Sequence, residues 1–173
     1  MRLLTRSFCA GFVFVLTAFL PAEGQSGSPA IAASSGKALC SALTPADFTG
    51  AGVPVAALSQ ANLDGTDGAY CVYQSKAGKV EFDIFFPAGA NAREIEATEK
   101  TVLDEGGGKY QSVTLAGADD ARISLSRPDL PGSAVIVVRR GKAVFDIVIP
   151  AGAAAQKQLE GLARTVLGRL KTA

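Results

Sequence analysis

The sequence GKVEFDIFFPAGA at residues 78–90 returns as GKAVFDIVIPAGA at residues 141–153. Each copy opens with a glycine turn, continues with alternating apolar and polar residues, and closes on a proline and a glycine. This order predicts a half-buried strand, a break and the start of a helix. A repeat of this kind predicts that two copies of one structural unit build much of the fold.

The similarity extends beyond the two copies. With a gap of one residue, Thr101-Val102-Leu103 matches Thr165-Val166-Leu167. The apolar spacing after each copy predicts a helix, over about residues 91–105 and about residues 153–171. A strand and a tight turn precede each copy. We therefore predict a duplicated β-β-α unit.

Shorter elements complete the pattern. Thr44 followed by Pro45 is typical of a helix N-cap and first turn, which predicts a short helix that ends near Ala51. Further strands are predicted near residues 70–74, 110–115, 121–126 and 134–139. Residues 57–68 are polar and rich in turn residues, and they predict a loop.

Together these elements predict an α+β fold, with an antiparallel sheet of about five or six strands and the long helices packed on it. We expect the apolar face of the repeat strands to meet the apolar stripes of both long helices. That face carries Phe82, Ile84, Phe86, Phe145, Ile147 and Ile149. Asp83 and Asp146 then point to the opposite face, where we expect water to reach them.

The N-terminus has the features of a secretory signal. Arg2 and Arg6 precede an apolar run, and small residues follow it. The run is shorter than the roughly 20 residues that a spanning helix needs, which favours cleavage over retention as an anchor. We predict a signal peptide at residues 1–24, a flexible leader at residues 25–39 and a single domain at residues 40–173. The predicted location is the periplasm or the outside of the cell, with no stable membrane anchor after cleavage.

Cysteine usage agrees with export. Cys9 leaves with the signal, so Cys40 and Cys71 remain as a single pair. An even count in an oxidising compartment predicts a disulfide. A redox-active pair is the alternative, but active dithiols are usually spaced C-x-x-C.

The composition excludes several kinds of active site. The chain has no histidine, so neither a Ser-His-Asp triad nor a zinc site with histidine ligands can form. Acidic and basic residues balance after cleavage, which argues against binding of nucleic acid or of an anionic membrane surface. Asp119 and Asp120 lack an EF-hand pattern, and Gly106-Gly107-Gly108-Lys109 follows a helix, unlike a phosphate loop. We predict no cofactor, no metal site and no catalytic residues.

Four charged residues are candidates for a binding face. Asp83 and Asp146 become neighbours if the repeat strands pair, which resembles the paired carboxylates of a glycosidase. The alternative is two solvated side chains on amphipathic strands. Arg139 and Arg140 form either a basic patch for an anionic ligand or exposed strand ends. Glu99 lies at the rim of a helical apolar stripe, where it either has a raised pKa or reaches water.

Several short motifs resemble one protein family. They are Cys40-x-x-Leu-Thr-x-x-Asp, Cys71-x-Tyr, Gly117-x-Asp-Asp-Ala and Val-Val-Arg-Arg-Gly-Lys before an alternating strand. From Cys40 to the C-terminus, the chain resembles the small secreted proteins and lipoproteins of unknown function with a PsbP-like fold, best known in actinobacteria. The resemblance implies an antiparallel sheet between helices and a disulfide joining Cys40 to Cys71. It implies no established activity.

We predict an exported, non-enzymatic domain that binds a protein or cell-envelope partner, through the sheet face opposite the helices or through the rim of the sheet. One alternative is a hydrolase that uses Asp83 and Asp146. Another is a rigid, inhibitor-like or structural scaffold. That scaffold would show a flat, partly apolar surface rather than a pocket.

Overall fold

The computed structural model describes residues 36–64, 68–87 and 91–170. Within them the strands are β1 (Ala57–Asp64), β2 (Gly68–Gln74), β3 (Val80–Phe85), β4 (Gln111–Ser112), β5 (Asp120–Ser124), β6 (Ser133–Arg140) and β7 (Ala143–Pro150). The helices are α1 (Gly36–Cys40), α2 (Pro45–Gly50), α3 (Ala92–Glu105) and α4 (Ala155–Arg169). Neighbouring strands run antiparallel in the order β1-β2-β3-β7-β6-β5-β4. The fold is α+β, as predicted, but the sheet of the described residues has seven strands rather than five or six.

The unexpected strand is β1, which occupies most of the segment predicted as a loop. It pairs with β2 from Ala57 opposite Gln74 to Asp64 opposite Gly68. Residues 57–61 of β1 are all exposed. A stretch of strand that is exposed on both sides lacks the apolar alternation by which strands are recognised. The prediction of a loop was therefore wrong.

The two copies of the repeated phrase lie side by side at the centre of the sheet. In the pairing of β3 with β7, Asp83 lies opposite Asp146 and Phe82 lies opposite Ile147. The equivalent aspartates of the two copies therefore meet across the pair. The hairpins β2–β3 and β6–β7 lie on either side of this meeting point.

One face of the sheet packs against α4, together with α1 and α2. The buried residues of α4 are Ala155, Leu159, Leu162, Ala163, Val166 and Leu167. The sheet contributes Phe82, Ile84, Phe145, Ile147 and Ile149, all fully buried, with Phe86 partly buried beside them. Burying a large apolar side chain is worth about 1.5–3 kcal/mol. This layer contains the larger of the two apolar clusters, and it buries the predicted apolar face of the repeat strands.

The opposite face is covered by α3, so the prediction that both long helices pack on one face was wrong. Ile95 of α3 packs with Val135, Val137, Val144 and Val148. These valines alternate along β6 and β7 with the residues that face α4, so both strands are apolar on both sides. Such strands must be covered on both faces. The sheet is consequently the middle of three layers.

The fold begins ahead of the predicted domain start at Cys40. Helix α1 begins at Gly36, and Leu39 is only 2% exposed within the core. The residues just before Cys40 therefore pack against the sheet instead of belonging to the leader. The predicted signal peptide at residues 1–24 and the leader up to residue 35 lie outside the described residues. No helix in the described ranges is long and apolar enough to cross a membrane.

The N-terminal helices are fixed by covalent and polar contacts. Cys40 and Cys71 form the predicted disulfide between α1 and β2, with an S–S distance of 2.03 Å. Thr44 is the N-cap of α2, as predicted, and exchanges hydrogen bonds with Asp47 in a capping box. Arg169 Nη1 at the end of α4 donates to Asp47 Oδ2 at 2.7 Å. The disulfide therefore joins α1 to the sheet, and the ion pair joins α2 to α4.

Candidate functional site

A row of polar side chains crosses the centre of the sheet on the face that carries α3. Tyr70 of β2 lies opposite Asp83 of β3. Asp83 lies opposite Asp146 of β7, and Asp146 lies opposite Val137 of β6. Side chains directly opposite in antiparallel strands have Cβ atoms about 4.5–5.5 Å apart. The two aspartates are therefore neighbours, which the sequence predicts on condition that the repeat strands pair.

Asp146 is buried beneath α3. It is 7% exposed and lies between Val144 and Val148, which both belong to the α3 cluster. Burial raises the pKa of Asp146 to about 7, although the nearby Arg127 guanidinium opposes the shift. A carboxyl in this environment can gain or lose a proton near neutral pH.

Asp83 lies beside Asp146 and is less deeply buried. Its Oδ1 atom is enclosed and has no hydrogen-bond partner among the described residues. Burial, and then the charges of Asp146 and Glu81, raise the pKa of Asp83 to about 9, while the Cys71 amide and Lys79 oppose the shift. An enclosed carboxylate oxygen without a partner is costly, so this position favours the protonated form.

Glu81 lies one row further along the same face and is 5% exposed. The Tyr70 hydroxyl donates a hydrogen bond to Glu81, and Lys79 Nζ lies 2.7 Å from Glu81 Oε1. Burial, and then this hydrogen bond, raise the pKa of Tyr70. Glu81 therefore has two partners within the row, whereas Asp83 Oδ1 has none in the described part of the chain.

The expectation that Asp83 and Asp146 are solvated was wrong for Asp146, which is buried, whereas Asp83 is partly exposed. It rested on β3, where Glu81 and Asp83 make one side polar. In β7 the positions that flank Asp146 are Val144 and Val148, so the aspartate lies within an apolar surface that α3 covers. The side of β7 on which Asp146 lies is otherwise apolar, and that was the available signal for burial.

A second ionic cluster fastens α3 to β5 and β6. Arg139 Nε donates a hydrogen bond to Glu99 Oε2 at 2.8 Å, and Glu99 is 6% exposed. Burial raises the pKa of Glu99; the Arg139 hydrogen bond opposes this shift, and a hydrogen bond with Asp120 adds to it. Arg122 Nε in turn lies 2.9 Å from Asp120 Oδ2. Glu99 therefore fixes the helix to the sheet instead of reaching water from the rim.

The four charged candidates do not form one binding face. Asp83, Asp146 and Arg139 lie on the α3 face, whereas Arg140 lies opposite Ala143, whose side chain is in the α4 layer. Arg140 donates a hydrogen bond to the main-chain carbonyl at position 167 of α4. Arg139 therefore contacts α3 and Arg140 contacts α4. Asp83 and Asp146 remain as the candidate site.

A different surface is open at the β1 edge of the sheet. The Val72 carbonyl of β2 accepts a hydrogen bond from Ser59 Oγ at 2.9 Å, so Val72 directs its main chain towards β1. Main-chain groups alternate between the two sides of a strand, so Cys71 directs its own groups towards β3. Ala61 lies opposite Cys71, so the two residues exchange no main-chain hydrogen bonds. The amide and carbonyl of Ala61 therefore point outward, away from the sheet.

An open groove of about 580 Å³ adjoins this edge. Its lining residues are Thr49, Pro54, Val55, Ala56, Gln74, Ser75 and Lys76. The walls are mostly apolar, and Gln74 and Lys76 supply polar groups at the border. Ligand sites commonly combine an apolar wall with a few polar groups, in volumes of about 300–1,000 Å³. The groove is continuous with β1 because Ala56 directly precedes the strand.

The comparisons with known proteins found no match for this chain. No protein-family model, curated protein or solved structure matches it. The resemblance to secreted proteins with a PsbP-like fold therefore stays a prediction. Within the described ranges, no group of three or more cysteine, aspartate or glutamate side chains is arranged to hold a metal ion.

Sequence reasoning did not identify Tyr70, Glu81 and Lys79 as members of the row of polar side chains around Asp83 and Asp146. Part of the signal was present, because Glu81 and Asp83 alternate on one predicted strand. The position of Tyr70 depends on the register between β2 and β3, which a single strand pattern does not contain. The row could therefore be found only with the strand pairing in hand.

Proposed function

We propose that this protein is an exported binding module that takes an extended segment of a partner protein along the open edge of β1. One observation carries the proposal: the main chain of β1 faces outward at Ala61, and an apolar groove adjoins the start of this strand at Ala56. Unpaired main-chain groups on a sheet edge are templates for an added strand. Strand addition of this kind is a recurring mode of peptide recognition.

The β1 edge has few of the features by which sheets protect their edges. Residues 57–63 contain no charged residue and no proline. An irregularity between Leu58 and Gln60 bends the start of the strand, but residues 60–64 pair in regular register. The opposite edge, β4, is only Gln111–Ser112. Short strands and charged strands resist addition, so β1 is the better template.

The groove limits what the added segment can carry. Main-chain hydrogen bonds supply affinity in strand addition, and pockets for side chains supply specificity. Pro54 and Val55 favour an apolar side chain in the groove, and Lys76 at its border favours a neighbouring carboxylate. The proposed ligand is therefore an extended peptide segment with an apolar anchor next to an acidic residue.

Export is supported by the Cys40–Cys71 disulfide, because such bonds persist in oxidising compartments. The proposed location is the periplasm or the outside of the cell. A PsbP-like fold and a duplicated β-β-α unit belong to the same proposal. The central pairing of the repeat strands supports duplication, whereas the placement of α3 and α4 on opposite faces does not follow from it.

A carboxylate-dependent hydrolase is the second candidate, because Asp83 and Asp146 face each other. Directly opposite positions on paired strands allow two carboxyls to approach the separation of roughly 5–5.5 Å that retaining glycosidases use. Asp146 is only 7% exposed, so α3 would have to move before a glycan could reach both groups. An inhibitor-like scaffold would use the same β1 edge and differs only in blocking its partner.

The test compares crosslinking capture in the intact cell envelope by the wild type, Ala61→Pro and Ala61→Val. Proline removes the outward amide and leaves the main-chain groups that face β2 in place. Valine keeps the amide and is the matched control. We expect one partner protein to be captured by the wild type and by Ala61→Val, and roughly tenfold less of it by Ala61→Pro, because an edge hydrogen bond is lost.

Equal capture by Ala61→Pro, with a circular dichroism spectrum like that of the wild type, would overturn strand addition at β1. Light scattering of the purified protein tests whether a second copy of this chain occupies the β1 edge instead. A wild-type dimer that Ala61→Pro converts to a monomer would assign the edge to a second copy of this chain. That result would overturn the proposal of a different partner protein.

A further inference from the structure

The Asp83–Asp146 pair is a buried feature that the proposed function leaves unused. The two side chains lie directly opposite on paired strands at the centre of the sheet. Asp146 is 7% exposed, and Asp83 Oδ1 is enclosed without a partner in the described part of the chain. Like charges directly opposite in a sheet are destabilising, and two close carboxyls do not both ionise readily.

Other ionisable groups face the pair from the surrounding elements. They are Tyr70 from β2, Lys79 and Glu81 from β3 and the turn before it, Glu105 from α3, and Tyr110 and Arg127 from the segments after α3. The two cations already have carboxylate partners: Lys79 lies 2.7 Å from Glu81, and Arg127 pairs with Asp129. On β6, Val137 lies opposite Asp146, and Arg139 is bonded to Glu99. A shared proton is therefore the main means of neutralising the pair.

We propose that Asp83 and Asp146 form a pH-sensitive contact that controls the docking of α3. While the pair keeps a proton, at most one of the two carboxyls is charged, and β3, β7 and α3 stay packed. When the proton leaves to solvent, the buried Asp146 carboxylate and the partly buried Asp83 carboxylate repel each other and require water. Movement of α3 admits that water, so α3 loosens as the pH rises.

The helix is suited to this role because it is the weakly held layer. Two residues of α3 are buried, Ile95 and Glu99, whereas six residues of α4 are buried. Segments with few buried apolar contacts open at lower free energy than the rest of a domain. Relief of the repulsion is therefore easier through α3 than through the central strands. This inference does not depend on what binds at β1.

Hydrogen exchange of the α3 amides, measured at about pH 5.5 and 8.5 and corrected for intrinsic exchange, tests the proposal. We expect the opening constant of α3 to rise roughly tenfold or more in the wild type, because linkage of one proton changes an equilibrium by up to tenfold per pH unit. In Asp83→Asn we expect a clearly smaller rise than in the wild type, since the repulsion is gone and only the burial of Asp146 still opposes its ionisation. The exposed α3 substitution Glu96→Gln is the matched control and should behave like the wild type.

Carboxyl ¹³C titration of the wild type supplies an independent measurement. At least one of the two aspartates should have its midpoint above about pH 6, and midpoints below about pH 5 for both would overturn the proposal. Unchanged exchange of α3 between the two pH values would overturn it as well. An equal rise in the wild type and in Asp83→Asn would assign the effect to another group. Asp146→Asn provides the same comparison if Asp83→Asn does not fold.

Discussion

Helices α3 and α4 follow two copies of one sequence phrase, yet they pack on opposite faces of the sheet. The buried residues of α4 are all apolar, whereas one of the two buried residues of α3 is Glu99. Apolar packing therefore holds one face, and ion pairs with a small valine cluster hold the other. Two copies of one sequence therefore form the same local elements. The face on which each helix packs depends on which surface of the sheet is still uncovered.

The carboxylates on the two faces differ in the same way. Arg169 Nη1 and Nη2 donate hydrogen bonds of 2.7 and 2.8 Å to Asp47. Burial alone would raise the pKa of Asp47, but the Arg169 and Thr44 hydrogen bonds outweigh it and lower the pKa to about 2. Burial raises the pKa of Asp83 to about 9 and that of Asp146 to about 7.

The pKa of Asp47 is lowered, whereas those of Asp83 and Asp146 are raised, and this difference predicts opposite effects of pH on stability. The contribution of Asp47 is present above about pH 4 and is lost as the pH falls towards 2, because the unfolded chain binds the proton more tightly. The Asp83–Asp146 pair lowers stability as the pH rises from about 4 towards 9, because the folded chain then keeps a proton that the unfolded chain has lost. Stability should therefore be greatest in mildly acidic solution.

The largest expected effect comes from cavities under the two helices. Leu159→Ala removes a side chain with no exposed surface from the α4 layer and should cost about 4 kcal/mol of unfolding free energy. Ile95→Ala removes a side chain that is 7% exposed from the α3 layer and should cost about 2 kcal/mol. Urea denaturation with matched m-values measures both losses. An equal or larger loss for Ile95→Ala would break the contrast between the faces.

A smaller effect is expected from the ion pair on the α4 face. Arg169→Met should cost about 2 kcal/mol at neutral pH, because it leaves the partly buried Asp47 carboxylate without its cation. The loss should shrink as the pH falls below about 2, where Asp47 becomes protonated in both variants. Arg164→Met on the same helix is the control. It breaks an exposed pair with Glu160 and should cost less than about 0.5 kcal/mol.

The smallest expected effect has the opposite sign. Asp83→Asn should raise the unfolding free energy by about 1 kcal/mol at about pH 8.5 and leave it nearly unchanged at about pH 5, because the wild-type pair is already protonated there. Thermal denaturation across this range measures the gain, with the exposed Glu96→Gln as the control. A loss of stability at the higher pH would show that Asp83 is needed as a charged group.

Much of the α4 layer could be predicted from the sequence because its signals are local. Leu159 and Leu162 recur at helical spacing, and Phe82 and Phe145 occupy matching positions of two alternating strands. The cysteine count alone favoured the disulfide between Cys40 and Cys71, and it is present.

The remaining features depend on contacts distant in the chain. The strand β1 was missed because, among the described residues, it pairs with no strand other than β2, and because residues 57–61 bury little. The face taken by α3 follows from the two-sided apolar strands β6 and β7 acting together. The burial of Asp146 depends on that helix, and the neighbourhood of Asp83 and Asp146 depends on register. Local patterns contain none of these long-range facts.

A double-mutant cycle with Asp83→Asn and Asp146→Asn, at about pH 8.5, is the most direct test that the two carboxyls act as one titrating pair. If they act as one pair, each single substitution removes the whole repulsion. The double variant should then gain less unfolding free energy than the sum of the two single gains. Additive gains would contradict a shared proton, and a loss of stability in both single variants would show that no repulsion exists between Asp83 and Asp146.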